Sequence, residues 1–267
     1  MPSSEEEGLA QRRTRFQVRG RLTLIVRGGQ SPGRRHGDAS ARLSFPVRFR
    51  ADQSLGHLAE SVGIPRLEIG SALIDGAEWP LELPPPDAST VLLLPLPEPV
   101  ALDSEPRFVL DLHLGTLSRT LRLLGFDASW KNERETADII GTALAEDRIV
   151  LTRNRALLYT RELHAAPNRA MLILSPEPYA QLLEVSRRFG LADRCRPFSR
   201  CAACGALLRR ASREEIRPLV PAIVARRYDE FFVCVPCGKA YWKGDHFRNL
   251  GPFMERLYAD LGGGRGD

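Results

Sequence analysis

The sequence predicts two domains, a small α+β domain and then an α/β domain with a parallel sheet, closed by a four-cysteine ribbon. Three observations carry this. In the first part, apolar positions alternate with arginine or polar ones at the period of half-buried strands. From residue 107 on, short apolar runs alternate with helical patterns, as in a parallel sheet covered on both faces. Near the C-terminus two Cys-x-x-Cys pairs stand 29 residues apart. The length of 267 residues suits two domains. With 43% hydrophobic and 27% charged residues, a mainly disordered or collagen-like chain is excluded.

Residues 1–13 are polar and are expected to be disordered. Residues 14–27 and 42–50 alternate, as in Phe16-Gln17-Val18 and Leu43-Ser44-Phe45, and read as a strand pair. Between them, residues 28–37 are rich in Gly, Ser, Pro and Arg and form a loop. Ser54 caps a short helix carrying Leu55, Leu58 and Val62, which Gly63 and Pro65 end. Strands follow at 72–74 and 90–94. This order over residues 14–95 is that of a ubiquitin-like β-grasp; an unrelated small α+β domain is the alternative.

Prolines 95, 97 and 99 lead into a connector, residues 96–106. Residues 107–111 then form a strand ending in Asp111, 114–124 a helix, and 126–129 a second strand. A helix at 136–145 carries Ile139, Ile140 and Ala143 on one face. Strands at 149–152 and 171–174 and a helix at 179–189 complete the α/β body, residues 107–192. The ribbon occupies 193–250, and a C-terminal helix and frayed glycine tail 251–267.

The most apolar window, 91–102, is broken by prolines and Glu98 and falls short of the roughly 20 residues of a membrane span. No membrane association is expected. Glu5, Glu6 and Glu7 ahead of Arg12 and Arg13 do not make a secretory signal, so a cytoplasmic location is expected. The net charge is +5, and residues 187–227 hold 11 arginines against Asp193, Glu214 and Glu215. A polyanionic partner is one reading. The other is a compositional preference for arginine, since Lys131, Lys239 and Lys243 are the only lysines.

Three places can carry chemistry. Cys201, Cys204, Cys234 and Cys237, each pair followed by Gly205 or Gly238, form two knuckles able to complete a tetrahedron around structural Zn2+. Cys195 lacks a partner at that spacing and reads as a buried apolar residue. Asp111 and Asn154 end strands at the sheet edge where ligands of α/β folds bind, with Glu133, Glu135 and Asp138 around the second helix. Convergent carboxylates there would hold Mg2+ or Mn2+; caps of the following turns are the alternative role. Tyr241, Trp242, Lys243 and His246 follow the second knuckle and suit either base stacking or packing of a small ribbon. His246 reads as hydrogen-bonded rather than as a ligand.

The run Phe108-Val109-Leu110-Asp111-Leu112-His113-Leu114-Gly115, followed by Leu117, Leu121-Arg122 and Leu124-Gly125-Phe126-Asp127, carries a family resemblance. So do Arg148-Ile149-Val150-Leu151-Thr152-Arg153, the cysteine pairs and Tyr241-Trp242-x-Gly244-x-His246. Over about residues 107–250 the chain resembles the Mut-seven C-terminal RNase domain family, whose bacterial members often carry a ubiquitin-like domain ahead of it. The resemblance implies a PIN-like three-layer fold with a zinc ribbon, and divalent-metal-dependent hydrolysis of RNA by clustered acids. By position, Asp111 matches the first acid. Asn154 stands where the family usually has Asp, and the middle acid falls on Thr136, so that Glu135 or Asp138 would substitute. Arg153, Arg155, Arg209, Arg210 and Lys243 are the expected RNA contacts. A module that binds RNA without cutting it, or an adaptor that meets a protein partner through the ubiquitin-like part, is the alternative.

Overall fold

Alternation in the first hundred residues resolves into a five-stranded mixed sheet. The computed structural model describes residues 11–26, 40–165, 169–244 and 250–261. In β1 (Arg12–Arg19) Thr14, Phe16 and Val18 turn inward while their neighbours face out. Next comes α1 (Arg21–Val26), then β2 (Arg42–Phe49), antiparallel to β1 with Phe16 opposite Phe45. Ser54 caps α2 (Leu55–Ser61) by accepting from the amide of His57. β3 (Ile69–Ile74), β4 (Ala77–Glu78) and β5 (Thr90–Pro95) follow, and the sheet order is β2-β1-β5-β3-β4. With β5 parallel to β1 at the centre, this is the β-grasp arrangement.

Two expectations are corrected here. Residues 21–26 are helical rather than a continuation of the strand: Gly20, at φ +53, ends β1, and Leu22, Thr23, Leu24 and Ile25 are all buried. A strand would turn alternate residues outward, so a continuous buried run is better served by a helical turn, which Thr23 closes onto the Gly20 carbonyl. Arg12 and Arg13, expected in a disordered terminus, pair with Phe49 and Arg48 in the sheet. The expected loop at 28–37, His246 and the tail at 262–264 lie outside the described residues, as does most of the expected disordered terminus.

The α/β part begins with β6 (Arg107–Leu110), α3 (Gly115–Leu123), β7 (Asp127–Ser129) and α4 (Thr136–Glu146). Leu117 and Leu121 bury one face of α3, and Ile139 and Ala143 one face of α4. Next are β8 (Ile149–Thr152), β9 (Ala170–Leu172) and α5 (Pro178–Phe189). The sheet order is β7-β6-β8-β9, with β6 parallel to β7 and β8 parallel to β9. Every residue of β8 is buried, as expected of a strand covered on both faces. The ribbon sheet β10 (Arg209–Ala211), β11 (Phe231–Val233) and β12 (Ala240–Trp242) is antiparallel. Short helices α6 (Arg213–Ile216) and α7 (Ala222–Arg227) interrupt it after β10, and α8 (Leu250–Asp260) ends the described chain.

The chain divides into two compact units, Met1–Val100 with Val150–Ser175, and Ala101–Ile149 with Pro176–Asp267. In the first unit, Glu68 is fully buried, accepts the Leu172 amide at 2.7 Å and pairs with Arg21 at 3.4 Å. Arg21 also donates to the Leu172 carbonyl, and Arg155 donates to that of Ile25. A buried ion pair with its oxygens bonded thus ties β9 to the β-grasp sheet.

Candidate metal centre and active site

Four thiols converge in the second unit. Cys201, Cys204, Cys234 and Cys237 bring their Sγ atoms within 4.8 Å of one another. Sγ separations of 3.6 Å for Cys201–Cys237 and 3.3 Å for Cys204–Cys234 lie near the edge of about 3.8 Å that a tetrahedral Zn–S shell would have. The two knuckles repeat one backbone design. Gly205 donates to the Cys201 carbonyl and Gly238 to that of Cys234, each at 2.8 Å, while the Cys201 and Cys234 amides donate to Ala206 and Lys239. Both glycines take positive φ, +84 and +70, which other residues rarely adopt. The first cysteine of each pair is buried and the second exposed.

Burial raises the thiols of Cys204 and Cys234, whereas Cys201 goes the other way. Burial raises the Cys201 thiol, but the Tyr241 hydroxyl at 3.0 Å and backbone amides at Ala203 and Cys204 outweigh it and bring the group down to about 6. Arg122 of α3 is buried, with Nε on the Ala128 carbonyl at 2.7 Å and Nη1 on the Ala203 carbonyl at 2.7 Å. Four thiolates around one Zn2+ would leave two negative charges, and this guanidinium stands beside the cluster. Burial lowers Arg122, while Cys204 and Cys201 oppose that. Arg200 donates to the Gly205 carbonyl at 2.9 Å and pairs with Asp127, which also holds Arg148 at 2.6 Å and Arg107 at 3.5 Å. Cys195 is half-buried, and burial, aided by Asp193, pushes its thiol up to about 11.

The acids expected at the strand ends do not gather in the same way. Asp111 is 4% exposed, follows β6 and accepts the His113 amide at 2.9 Å, capping a 3-10 turn. Asn154 follows β8, accepts the Ala156 amide and caps the turn Arg155–Tyr159. Both therefore serve as caps, the alternative role read from the sequence. Glu135 stands at the N-cap position of α4 with its side chain making no cap bond, and Glu133 is likewise exposed. Asp138 is bound by Arg134 at 2.8 Å and faces Thr142 at 3.5 Å. Among the described residues, the cysteines form the one group of three or more His, Cys, Asp or Glu side chains with ligand atoms this close.

Several of the expected RNA contacts are engaged within their own units. Arg209 pairs with Glu215 at 2.9 Å, Lys243 with Glu230 at 2.5 Å, and Arg210 approaches Glu230 at 4.0 Å. Arg155 is turned to the Ile25 carbonyl and Arg153 is exposed. The arginine-rich stretch is thus partly neutralised by neighbouring acids. Sequence reasoning missed Arg122, Asp127 and the Tyr241 hydroxyl. Arg122 bonds backbone carbonyls about 80 residues away, which leave no trace in residue identity, whereas Tyr241 stood in a motif whose packing role was foreseen.

Residues 106–254 match the family model of the Mut7-C RNAse domain. No curated protein and no solved structure matches the chain.

Proposed function

Because the chain belongs to the Mut7-C RNase domain family, we propose that it is a divalent-metal-dependent ribonuclease that hydrolyses RNA phosphodiester bonds. The match over residues 106–254 is the observation that carries this reading. Asp111, buried at the end of β6, is the carboxylate we assign to the reaction. Mg2+ or Mn2+ suits such a place because it takes oxygen ligands, is held by as few as one or two carboxylates together with substrate phosphates, and lowers the pKa of bound water. Glu135 is the helix acid whose side chain makes no cap bond. Asp138, already holding Arg134, is assigned to positioning that helix start. Asn154 offers an amide oxygen without charge. In the reaction, water attacks phosphorus, the P–O ester bond breaks, and the leaving oxygen takes a proton.

The zinc reading of the cysteine cluster is part of the proposal: four thiolates leave no open position, so the ion is structural. A reducing compartment such as the cytoplasm keeps these thiols as ligands rather than disulfides. The β-grasp part, read as ubiquitin-like, is proposed to meet a protein partner.

The test is cleavage of single-stranded and structured RNA by the full chain with Mg2+ or Mn2+, beside Asp111→Ala. Cleavage lost in the variant supports the assignment. Binding without cleavage by the native chain supports the second reading, a module that grips RNA without cutting. The neutral amide at 154 and the engaged Asp138 favour that reading.

A further inference from the structure

A cleft of about 660 Å3 lies beside the ribbon in the second unit, lined by Arg119, Ala202, Ala203, Leu219, Lys239, Tyr241 and Trp242 among others. Among the described residues, its charged lining residues are Arg119 and Lys239, both cations and both exposed. They differ from the cations expected to touch RNA, such as Arg209 and Lys243, which face Glu215 and Glu230. Among the described residues neither Arg119 nor Lys239 makes an ion pair. The other wall is aromatic and apolar. Trp242 packs against the ribbon core of Ile216, Ala225 and Phe231, and Leu219 is 48% exposed.

The cleft is held in shape from both sides. Arg122, one helical turn after Arg119 on α3, fastens the Ala203 carbonyl, so the first knuckle cannot move away from the helix without breaking a part-buried hydrogen bond. The Tyr241 hydroxyl is engaged with Cys201 at 3.0 Å, which fixes its ring against the cysteine cluster. That engagement leaves the aromatic wall to act through its surface rather than through a hydroxyl.

We infer that this cleft seats a nucleotide of single-stranded RNA, its base on the Trp242, Tyr241 and Leu219 wall and its flanking phosphates on Arg119 and Lys239. The inference rests on RNA being the substrate class proposed above. Aromatic rings accept any base and cations track any backbone, so the grip is tolerant of sequence. The composition of the walls matches a single strand better than a duplex, whose bases are stacked on one another and offer no free face. Cations without acids among the described lining residues also match a polyanion.

The experiment uses the full zinc-loaded chain and a fluorescently labelled 12-nucleotide single-stranded RNA, with anisotropy read across a salt series. Arg119→Ala/Lys239→Ala should weaken binding about tenfold and reduce the slope of log affinity against log salt by roughly 1.4, two phosphate contacts at about 0.7 each. Arg217→Ala/Arg226→Ala, an equal charge change outside the cleft, should do neither. Ultraviolet crosslinking of the native complex should attach RNA at Trp242 or Tyr241. Zinc content of one per chain shows that each variant is folded, and Leu219→Asp, at an exposed position, supplies an independent loss of binding. Equal losses in both double variants, or no loss in Arg119→Ala/Lys239→Ala, overturn the proposal while leaving the ribonuclease reading intact. So does an unchanged RNA affinity accompanied by lost binding of a polyglutamate peptide, which would assign the cleft to an acidic protein segment. Native protein that binds no RNA at all overturns both.

Discussion

Glu68 and Asp127 show how single carboxylates organise each unit. Glu68 is fully buried, with its oxygens on the Leu172 amide and Arg21. Removing one partner of a buried pair strands the other, at a cost of about 3–5 kcal/mol. Glu68→Ala should therefore lower the urea midpoint of the first unit's unfolding by that equivalent, while Glu68→Gln, still able to accept the amide, should lose less. Asp127 works through charge. Its burial raises the carboxyl, but the hydrogen bond and charge of Arg148, with the charges of Arg200 and Arg107, outweigh this and hold it below the ordinary range. A carboxyl depressed in the folded state contributes stability that is complete above its unfolded value of about 3.9 and is lost as pH falls through the folded value. Thermal melts across that acid window should show the native chain losing stability more steeply than Asp127→Asn, and parallel curves would deny Asp127 this role.

The knuckles are where element-level design is plainest. Removing the metal should unfold the ribbon, because a small domain of this kind draws much of its folding energy from its ion. Circular dichroism and hydrogen exchange after chelation would show loss confined to the ribbon segment if this holds. The two glycines separate backbone strain from crowding. A Cβ at Gly238 meets nothing within 4 Å, whereas one at Gly205 lies 3.1 Å from Arg122 Nε. Both alanine variants bear the left-handed strain of about 1–2 kcal/mol, and Gly205→Ala in addition presses on the guanidinium that holds the knuckle. Zinc should accordingly leave Gly205→Ala faster than Gly238→Ala, as a chromogenic chelator would record. Much at this scale was legible in the sequence. Cys-x-x-Cys-Gly dictates its own turn, so the two knuckles follow from local chemistry. Helix α1 was not legible, because the six residues from Arg21 to Val26 are too few to show a period that separates a strand from a buried helical turn.

For the molecule as a whole, position 154 is where the proposed ribonuclease and the proposed RNA-binding module part. A hard divalent cation gains more from an anionic oxygen than from an amide oxygen. Asn154→Asp should therefore raise the rate of RNA cleavage and lower the metal concentration needed for it, and Asp111→Ala should abolish cleavage in either background. Failure of the native chain and of Asn154→Asp to cut any RNA that both still bind would leave the binding module standing.

What the sequence determined by itself is what residue type and spacing can encode. Alternation specified β1 and β2 of the mixed sheet, apolar runs between helical patterns specified the parallel sheet, and knuckle spacing specified the four-cysteine cluster. The Mut7-C match follows from the same residues. Only the tertiary structure decided which charges are available. It placed Asp138 on Arg134, Arg209 on Glu215 and Lys243 on Glu230, and it left Arg119 and Lys239 beside Trp242 in a lining with no acid among the described residues. Charge is written in the sequence, but its neutralisation depends on which side chains meet across the fold. A guanidinium such as Arg122, whose partners are main-chain carbonyls, that of Ala203 some 80 residues along the chain, has no counterpart residue to reveal it.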